Sequence, residues 1–419
     1  MELSVDEFIE GLFAKPASEQ PSDTKKPEDM EMRIPEWFDE KKFNKARRFY
    51  WDNSYPLTGT MLIGLVAVFA VPSILRVLVG SRRSSSTYTA YKRYMSTLLH
   101  TVSWFENELK PGSISWKSLM TVRARHVRAS VAADLKGQGI VSQRDLALTQ
   151  FGFIGISILK PDKFGIQQME EGDWEAYNHF WRVIGHAIGI EDRYNICRKN
   201  FEETQRVCQI LLDRVYTPYL ENTPEYFEHM ARVMLDGMWS VNPTVHTDGL
   251  IYFAKYVCNV PGYIYTEEDR INLQRRIREK LNGQSEDIGV DAMSLLAPPL
   301  VQLPARRPRL LYLHDYDSLY QCPTYKKLSI SANYKLAVQY IITAIYGSFI
   351  GRWYFNAMYR FSLLLMKYFP YVALFRFGVK EAYVNIFKED PLSDDEPKTN
   401  EYYYNRPPLP LYKELLSML

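Results

Sequence analysis

Apolar side chains recur every three or four residues through most of the chain, a spacing that predicts α-helices rather than strands. The predicted helices cover residues 115–137, 142–154, 172–190, 196–212, 225–238, 267–281, 334–346 and 353–368. Alternating β patterns, βαβ units and repeats of fixed period are absent from the sequence. We therefore predict an all-α protein: a single large multi-helix domain around an apolar cavity, with flexible N- and C-terminal extensions.

Changes in composition predict the domain boundaries. Residues 4–15 form a predicted amphipathic helix in which Ser4 and Glu7 are a candidate capping box. This helix either docks onto its own protein or attaches to a membrane surface or partner. Residues 16–31 are polar and contain proline, which predicts a linker. We assign residues 1–40 to this N-terminal segment and linker, 41–385 to the helical domain and 386–419 to a C-terminal tail.

Residues 53–75 contain no charged side chain, and this length can span a bilayer. Pro56 and Pro72, two glycines and several polar residues interrupt the segment. A buried core helix bent near Pro72 is therefore an equal alternative. Membrane association stays open at this point.

Composition and charge exclude several classes of protein. The formal net charge is +2 and no dense run of Lys or Arg occurs, which argues against a nucleic-acid partner. The four cysteines are scattered, as expected of reduced thiols. The acidic N-terminus does not resemble a signal peptide, and no Asn-linked glycosylation sequence occurs. We predict an intracellular protein that is not secreted, with attachment to the endoplasmic reticulum or another membrane as an option.

Arg123 and His126 are the main candidates for chemistry. In the helix over residues 115–137 they share a stripe with Leu119 and Val122, whereas Arg125 and Arg128 project to the other side. A cation and an imidazole on an apolar face need a partner or a ligand. Either Arg123 pairs with a neighbouring Glu, or both side chains project into a cofactor or substrate cavity. In the second case His126 could ligate a metal and Arg123 could hold a carboxylate or propionate.

The other histidines are weaker candidates, with His100 next in rank. His179 and His186 lie on one helix opposite its aromatic stripe, which indicates a polar or solvated face, with a pocket wall as the alternative. His229, His246 and His314 have no spacing partner. Dinucleotide, P-loop, nucleophile-elbow and zinc-protease motifs do not occur, nor does a pair of Glu-x-x-His elements.

The sequence resembles the ER-bound oxygenase and rubber oxygenase (latex-clearing protein) catalytic-domain family. The resemblance rests on the order of the segments 46–50, 56–79, 82–100, 122–126, 143–151 and 181–190. It implies an all-helical fold. Bacterial members of the family hold a b-type haem and cleave the double bonds of polyisoprene with O₂, and fungal members act on a farnesyl chain.

Carried over by position, Arg123 corresponds to the family's helix arginine close to the haem. His126 falls where latex-clearing proteins have a distal lysine. Their proximal histidine would fall within residues 149–160, which begin with Thr149 and Gln150, and this stretch contains no histidine. Either His126 or His100 is then the axial ligand, with Thr149 and Gln150 contacting the cofactor, or this branch binds no haem. The family's acidic residue corresponds to Glu106 or Glu108, either of which could act as a base on an allylic proton.

We therefore predict an oxidoreductase of the oxygenase type. It would use O₂ and iron, held as haem b, on a hydrophobic isoprenoid- or lipid-like small molecule. Two alternatives are a non-catalytic helical protein that binds a hydrophobic ligand and a membrane-anchored structural protein.

Overall fold

The chain folds into helices that pack around shared apolar cores. The computed structural model describes residues 3–260, 275, 299–302, 328–407, 410, 412 and 414. Within these residues no β-strand forms, and one isolated bridge joins Pro21 to Ser142. The all-α prediction is confirmed.

The helices follow the predicted ones closely, with most ends shifted by a few residues. Their bounds are α1 Val5–Phe13, α2 Lys15–Glu19, α3 Glu40–Asp52, α4 Ser54–Val68, α5 Pro72–Gly80, α6 Thr87–Glu106, α7 Ile114–Leu135, α8 Gln143–Leu159, α9 Pro161–Phe164, α10 Asp173–Ala187, α11 Phe201–Leu211, α12 Thr217–Glu221, α13 Phe227–Trp239, α14 Thr247–Val257, α15 Ile330–Tyr346, α16 Phe349–Tyr368, α17 Tyr371–Phe377, α18 Val379–Ala382 and α19 Asn400–Tyr404. A 3₁₀ turn covers Pro27–Asp29 and a π-helical turn covers Leu212–Tyr216. Most of the predicted helix over 267–281, most of the C-terminal residues 411–419, Cys322 and His314 lie outside the described residues.

The N-terminal segment belongs to the packed body. The predicted capping box forms between Ser4 and Glu7, and Phe8 and Leu12 on α1 are fully buried. The stretch predicted to be a linker is also held in place, because Ser22 N donates to Val141 O and Gln143 N donates to Gln20 O. The first helix therefore docks onto its own protein, and residues 16–31 are not a free linker.

The uncharged segment forms α4, which is largely buried, and the first residues of α5, with a sharp bend between the two helices. Pro72 opens α5, and α4 and α5 meet at 92°. Among the described residues no single helix is both long and apolar enough to cross a bilayer. In the part of the chain that the structure describes, this bent pair meets the required length and composition when the two helices are taken together.

α4 packs along α8, and their backbones meet at two glycines. A Cβ added to Gly64 would lie 1.9 Å from the carbonyl oxygen of Gly152. Ser142 and Asp145 form a capping box at the start of α8, which fixes where that helix begins. The pair forms part of the wall of a cavity described below.

A stack of aromatic rings joins α3, α6 and α10. Phe105 lies between Tyr50 and Phe180, with ring centroids 3.9 Å and 4.1 Å away. The predicted aromatic stripe of α10 faces inward, since Tyr177, Trp181 and Ile184 are buried. α6, α10 and their neighbours thereby form a rigid frame around the site.

Candidate functional site: an apolar cavity beside two neutral histidines

A cavity of about 600 Å³ lies between α4–α8 and α10. Its volume falls within the range of roughly 300–1,000 Å³ typical of small-molecule sites. Aliphatic and aromatic side chains form most of its wall, including Leu65, Phe69, Leu146, Phe153 and Ile184. We call it the first cavity. A wall of this kind suits an apolar molecule.

His126 lines the first cavity, as predicted from its helix face. Burial lowers the pKa of this imidazole to about 4, and the nearby Arg93 and Arg125 guanidinium groups act in the same direction. The ring is therefore neutral at physiological pH. Its Nδ1 is buried and accepts or donates no hydrogen bond to any residue in the described part of the chain. A neutral imidazole with a nitrogen left over can bind a metal ion or a hydrogen-bonding ligand.

His100 also lines the first cavity, but its ring is already occupied. Nδ1 is 2.7 Å from Ser118 Oγ and Nε2 is 3.4 Å from Arg125 Nη1. Burial, with a smaller contribution from Arg125, lowers the pKa of His100 to about 4. Between the two predicted imidazoles, His126 is the one with bonding capacity to spare.

Cationic side chains line one side of the same cavity. Arg93 Nη1 donates to Ser81 Oγ at 3.1 Å, and Arg93 forms no ion pair with a described residue. Arg125 donates to Ser96 Oγ and to the carbonyl oxygens of Ile386 and Lys388. Burial lowers the pKa of the Arg125 guanidinium, although it stays protonated at neutral pH. These cations can hold an anionic group of a bound molecule.

Of the two alternatives predicted for Arg123, pairing with a carboxylate holds and projection into this cavity does not, although the partner is an Asp and not the expected Glu. Arg123 points to the opposite side of α7, where its Nη2 lies 2.5 Å and its Nε 2.7 Å from Asp23 Oδ2. Arg125 and Arg128, which we predicted to face away, line the cavity instead. The reason is that residues 16–31 pack against α7 and supply a carboxylate, so the face bearing Arg123 is covered by the N-terminal segment.

The predicted acidic residues lie away from the cavity. Both carboxylate oxygens of Glu106 are 2.9 Å from Lys367 Nζ, and the exposed Glu108 pairs with Lys110 at 2.6 Å. Neither residue lines either cavity described here. Both residues lie where α6 ends and the chain turns to the surface. The prediction that one of them acts as a base at the cavity is therefore wrong, because neither carboxylate reaches it.

Thr149 and Gln150 line the first cavity from α8. Thr149 Oγ1 donates to Asp145 O within the helix. The Gln150 amide donates to Trp181 O and Asn195 Oδ1, which fixes its side chain between α8 and α10. Their contact with a cofactor stays a prediction.

Residues 386–393, which we call the strap, cross one side of the cavity. Arg83 and Arg128 both pair with Glu389, at 2.8 Å and 3.2 Å, and Ser393 N donates to Arg82 O. Glu389 and Asp390 belong to the cavity lining. The strap thus forms part of the wall of the first cavity, although we assigned this segment to a tail.

A second cavity of about 430 Å³ lies next to the first. Leu65, Tyr94, Thr97 and Phe153 line both. The far wall of the second cavity comes from α14, α15 and α16 and includes Phe253, Leu336 and Phe355. Two apolar spaces are therefore separated by a wall of one layer of side chains.

The other four histidines in the described part of the chain have structural partners. His179 Nε2 accepts from the backbone N of Asp39, and His186 pairs with Asp192 at 2.9 Å. His229 bonds to Tyr403 and to Ser85 O, and His246 caps α14. Within the described residues, no group of three or more His, Cys, Asp and Glu side chains is arranged to hold a metal ion.

Sequence reasoning missed Arg93 and the strap as parts of the site. Arg93 precedes His100 by seven residues, two turns along the same helix, and that spacing could have indicated a shared face. Glu389 and Asp390 carry no local signal, because they reach the cavity only through the path of the chain after α18.

Comparisons with known proteins give one relevant likeness. No protein-family model and no curated protein matches the chain. Among solved structures, the closed state of latex clearing protein is similar, with a TM-score of 0.47, 15% identity and coverage of 85% of each chain. That protein belongs to the group named by the sequence resemblance. A likeness of this degree says nothing about activity.

Proposed function

We propose that this protein is an oxidoreductase of the oxygenase type that acts on a hydrophobic, isoprenoid- or lipid-like molecule. In this proposal the first cavity would hold a b-type haem, and His126 would be the residue that binds its iron. The observation that carries the proposal is the neutral, unpartnered imidazole of His126 in an apolar space of about 600 Å³. An intracellular location and the absence of a nucleic-acid partner stay predictions.

The residues of the cavity fit a haem with one protein ligand. His126 offers the imidazole, and its lowered pKa keeps the nitrogen lone pair available for a metal. Arg93 would hold a propionate group, because it is a cation on the cavity wall without an ion-pair partner among the described residues, and Arg125 adds positive charge beside it. The apolar wall would contact the macrocycle.

A bound haem iron would supply the activation of O₂. The protein's own contribution is binding and orientation. Leu65, Phe69 and Phe153 exclude water from the reacting part of the substrate. The second cavity offers space for the rest of an extended apolar chain, since Phe153 and Tyr94 border both spaces. No carboxylate at Glu106 or Glu108 is available to take a proton there.

The absorption spectrum of the purified chain, before and after reconstitution with hemin, tests the proposal. We expect a Soret band that is lost or shifted in His126→Ala and kept in His186→Ala. His186 is the matched control because it lies outside both cavities and pairs with Asp192. A loaded protein that consumes O₂ with an isoprenoid substrate, and transfers labelled oxygen to the product, would complete the test.

A non-catalytic binding protein is the second candidate. It is favoured by one observation: the residues that α8 turns toward the cavity, including Thr149, Gln150 and Phe153, offer no imidazole. A chain that takes up no hemin but binds a fluorescent fatty acid or isoprenoid in the first cavity would support this function and exclude the oxygenase.

A further inference from the structure

The outer side of α16 is apolar along its whole length. Phe349 and Ile350 are 75% and 76% exposed, and Trp353 is 67% exposed. The same side continues with exposed large apolar residues at Tyr354, Met358, Phe361, Leu364 and Tyr368. These positions fall on one half of a helix of 20 residues, which is about 30 Å long.

The flanking helices extend this surface. On α15 the exposed side carries Ile330, Tyr334, Ile341 and Ile345, spaced by four or seven residues. On α17 the Phe375 side chain is 92% exposed. We call the exposed apolar side of α15, α16 and α17 the aromatic face. A surface helix normally turns charged and polar residues to water, so an apolar outer side indicates a partner.

The charge of this segment indicates what the partner is. Residues 328–380 contain no Asp or Glu and six cations: Lys335, Arg352, Arg360, Lys367, Arg376 and Lys380. Apolar and aromatic side chains combined with basic residues are the composition of helices that lie in the boundary of anionic membranes. Trp and Tyr favour the same boundary, because one end of each ring system is polar.

The inner side of the same helices supports a lipid partner over a protein one. Phe355, Tyr359 and Met366 on α16 line the second cavity, and Tyr354 and Met358 of the aromatic face line it as well. α16 is thus apolar on both sides, inward to a ligand space and outward to the surface. The second cavity therefore lies directly behind the aromatic face. On a bilayer, this face would contact the acyl chains in which apolar molecules dissolve.

We propose that the aromatic face docks the protein onto the surface of an anionic lipid bilayer. α15, α16 and α17 lie in the headgroup boundary, with their apolar side chains in contact with acyl chains and Arg360 and Lys380 near lipid phosphates. The second cavity then faces the bilayer. The docking needs no cofactor, so it holds or fails independently of the proposed oxygenase activity.

Co-sedimentation of the full chain with vesicles tests this. We expect the protein to pellet with vesicles of phosphatidylcholine and phosphatidylserine, more weakly with phosphatidylcholine alone, and less as salt increases. Ile350→Glu with Phe375→Glu should weaken partitioning at least about ten-fold, because both charges would enter the apolar boundary. Leu135→Glu is the matched control: Leu135 is 84% exposed on α7, outside the aromatic face, and its variant should bind like wild type.

Arg360→Gln with Lys380→Gln tests the charge separately. Each lost cation should weaken binding to the anionic vesicles by about five-fold and leave binding to phosphatidylcholine alone unchanged. Thermal unfolding by circular dichroism checks that all variants are folded. Failure of the folded wild type to bind anionic vesicles overturns the proposal. So does a lipid-free dimer that the Ile350→Glu, Phe375→Glu variant disrupts, since the aromatic face would then be a protein interface.

Discussion

Adding one methyl group at Gly64 should destabilise the fold by forcing α4 and α8 apart. In Gly64→Ala the new Cβ would lie 1.9 Å from Gly152 O, 2.6 Å from Gly152 C and 2.9 Å from Gly152 Cα. All three are backbone atoms of a helix, so no side-chain rotation relieves the overlap. The helices must separate by roughly 1 Å to approach the 3.0 Å that is the practical lower limit for a Cβ contact.

The expected change in the free energy of unfolding is the sum of two opposing contributions. Alanine stabilises a helix interior by about 1 kcal/mol relative to glycine. Overpacking costs about 1–3 kcal/mol, and a rigid backbone contact belongs at the upper end. We therefore expect Gly64→Ala to lower the free energy of unfolding by about 2 kcal/mol.

Gly59→Ala on the same helix is the matched control. A Cβ there would meet Phe164 Cδ1 at 3.8 Å, an ordinary contact, so this variant should gain up to about 1 kcal/mol. Urea and thermal unfolding followed by circular dichroism give the comparison, with midpoints about 5 °C or more apart expected. If Gly64→Ala unfolds at or above the midpoint of Gly59→Ala, the close approach of α4 and α8 does not exist.

Three further outcomes follow from the site and its surroundings. The pKa of His126 lies at about 4 in the folded chain against an ordinary 6.5, so the unfolded chain binds the proton first as pH falls. Stability should drop by about 2 kcal/mol from this group between pH 7.5 and 5, and urea unfolding of His126→Gln should show a shallower pH dependence by that amount. Asp23→Asn leaves Arg123 without its carboxylate and should cost about 3 kcal/mol, measured by urea unfolding; an unchanged midpoint refutes the pairing. Glu389→Gln removes the partner of Arg83, and hydrogen exchange of residues 386–393 should become faster; equal exchange would show that the strap is held by other contacts.

Local signals in the sequence predicted the helices well. The capping box at Ser4 and the inward stripe of α10 depend on residues close in sequence, and the structure confirms both. The side of α7 that carries His126 was also predicted correctly. His126 shares that side with Val122 and Ala133, and all three residues line the first cavity.

The wrong predictions concern contacts between distant parts of the chain. Arg123 reaches Asp23, one hundred residues earlier, and its stripe contained no sign of that partner. Glu106 pairs with Lys367, far along the chain on α16, so its distance from the cavity could not be deduced from the end of α6. α3, α6 and α14 were not among the predicted helices, although Leu250, Phe253, Ala254 and Val257 give α14 a helical repeat.

α7 is held by two segments that are far apart in sequence, the one around Asp23 and the strap, and this has a consequence for biosynthesis. Asp23 holds one side of the helix, and the strap holds the other through Arg125 and Arg128. The helices that line the first cavity leave the ribosome well before residues 386–393 do. The wall of the first cavity is therefore complete only after residues 386–393 have been synthesised, so a molecule can enter from that side while the strap is not yet in place.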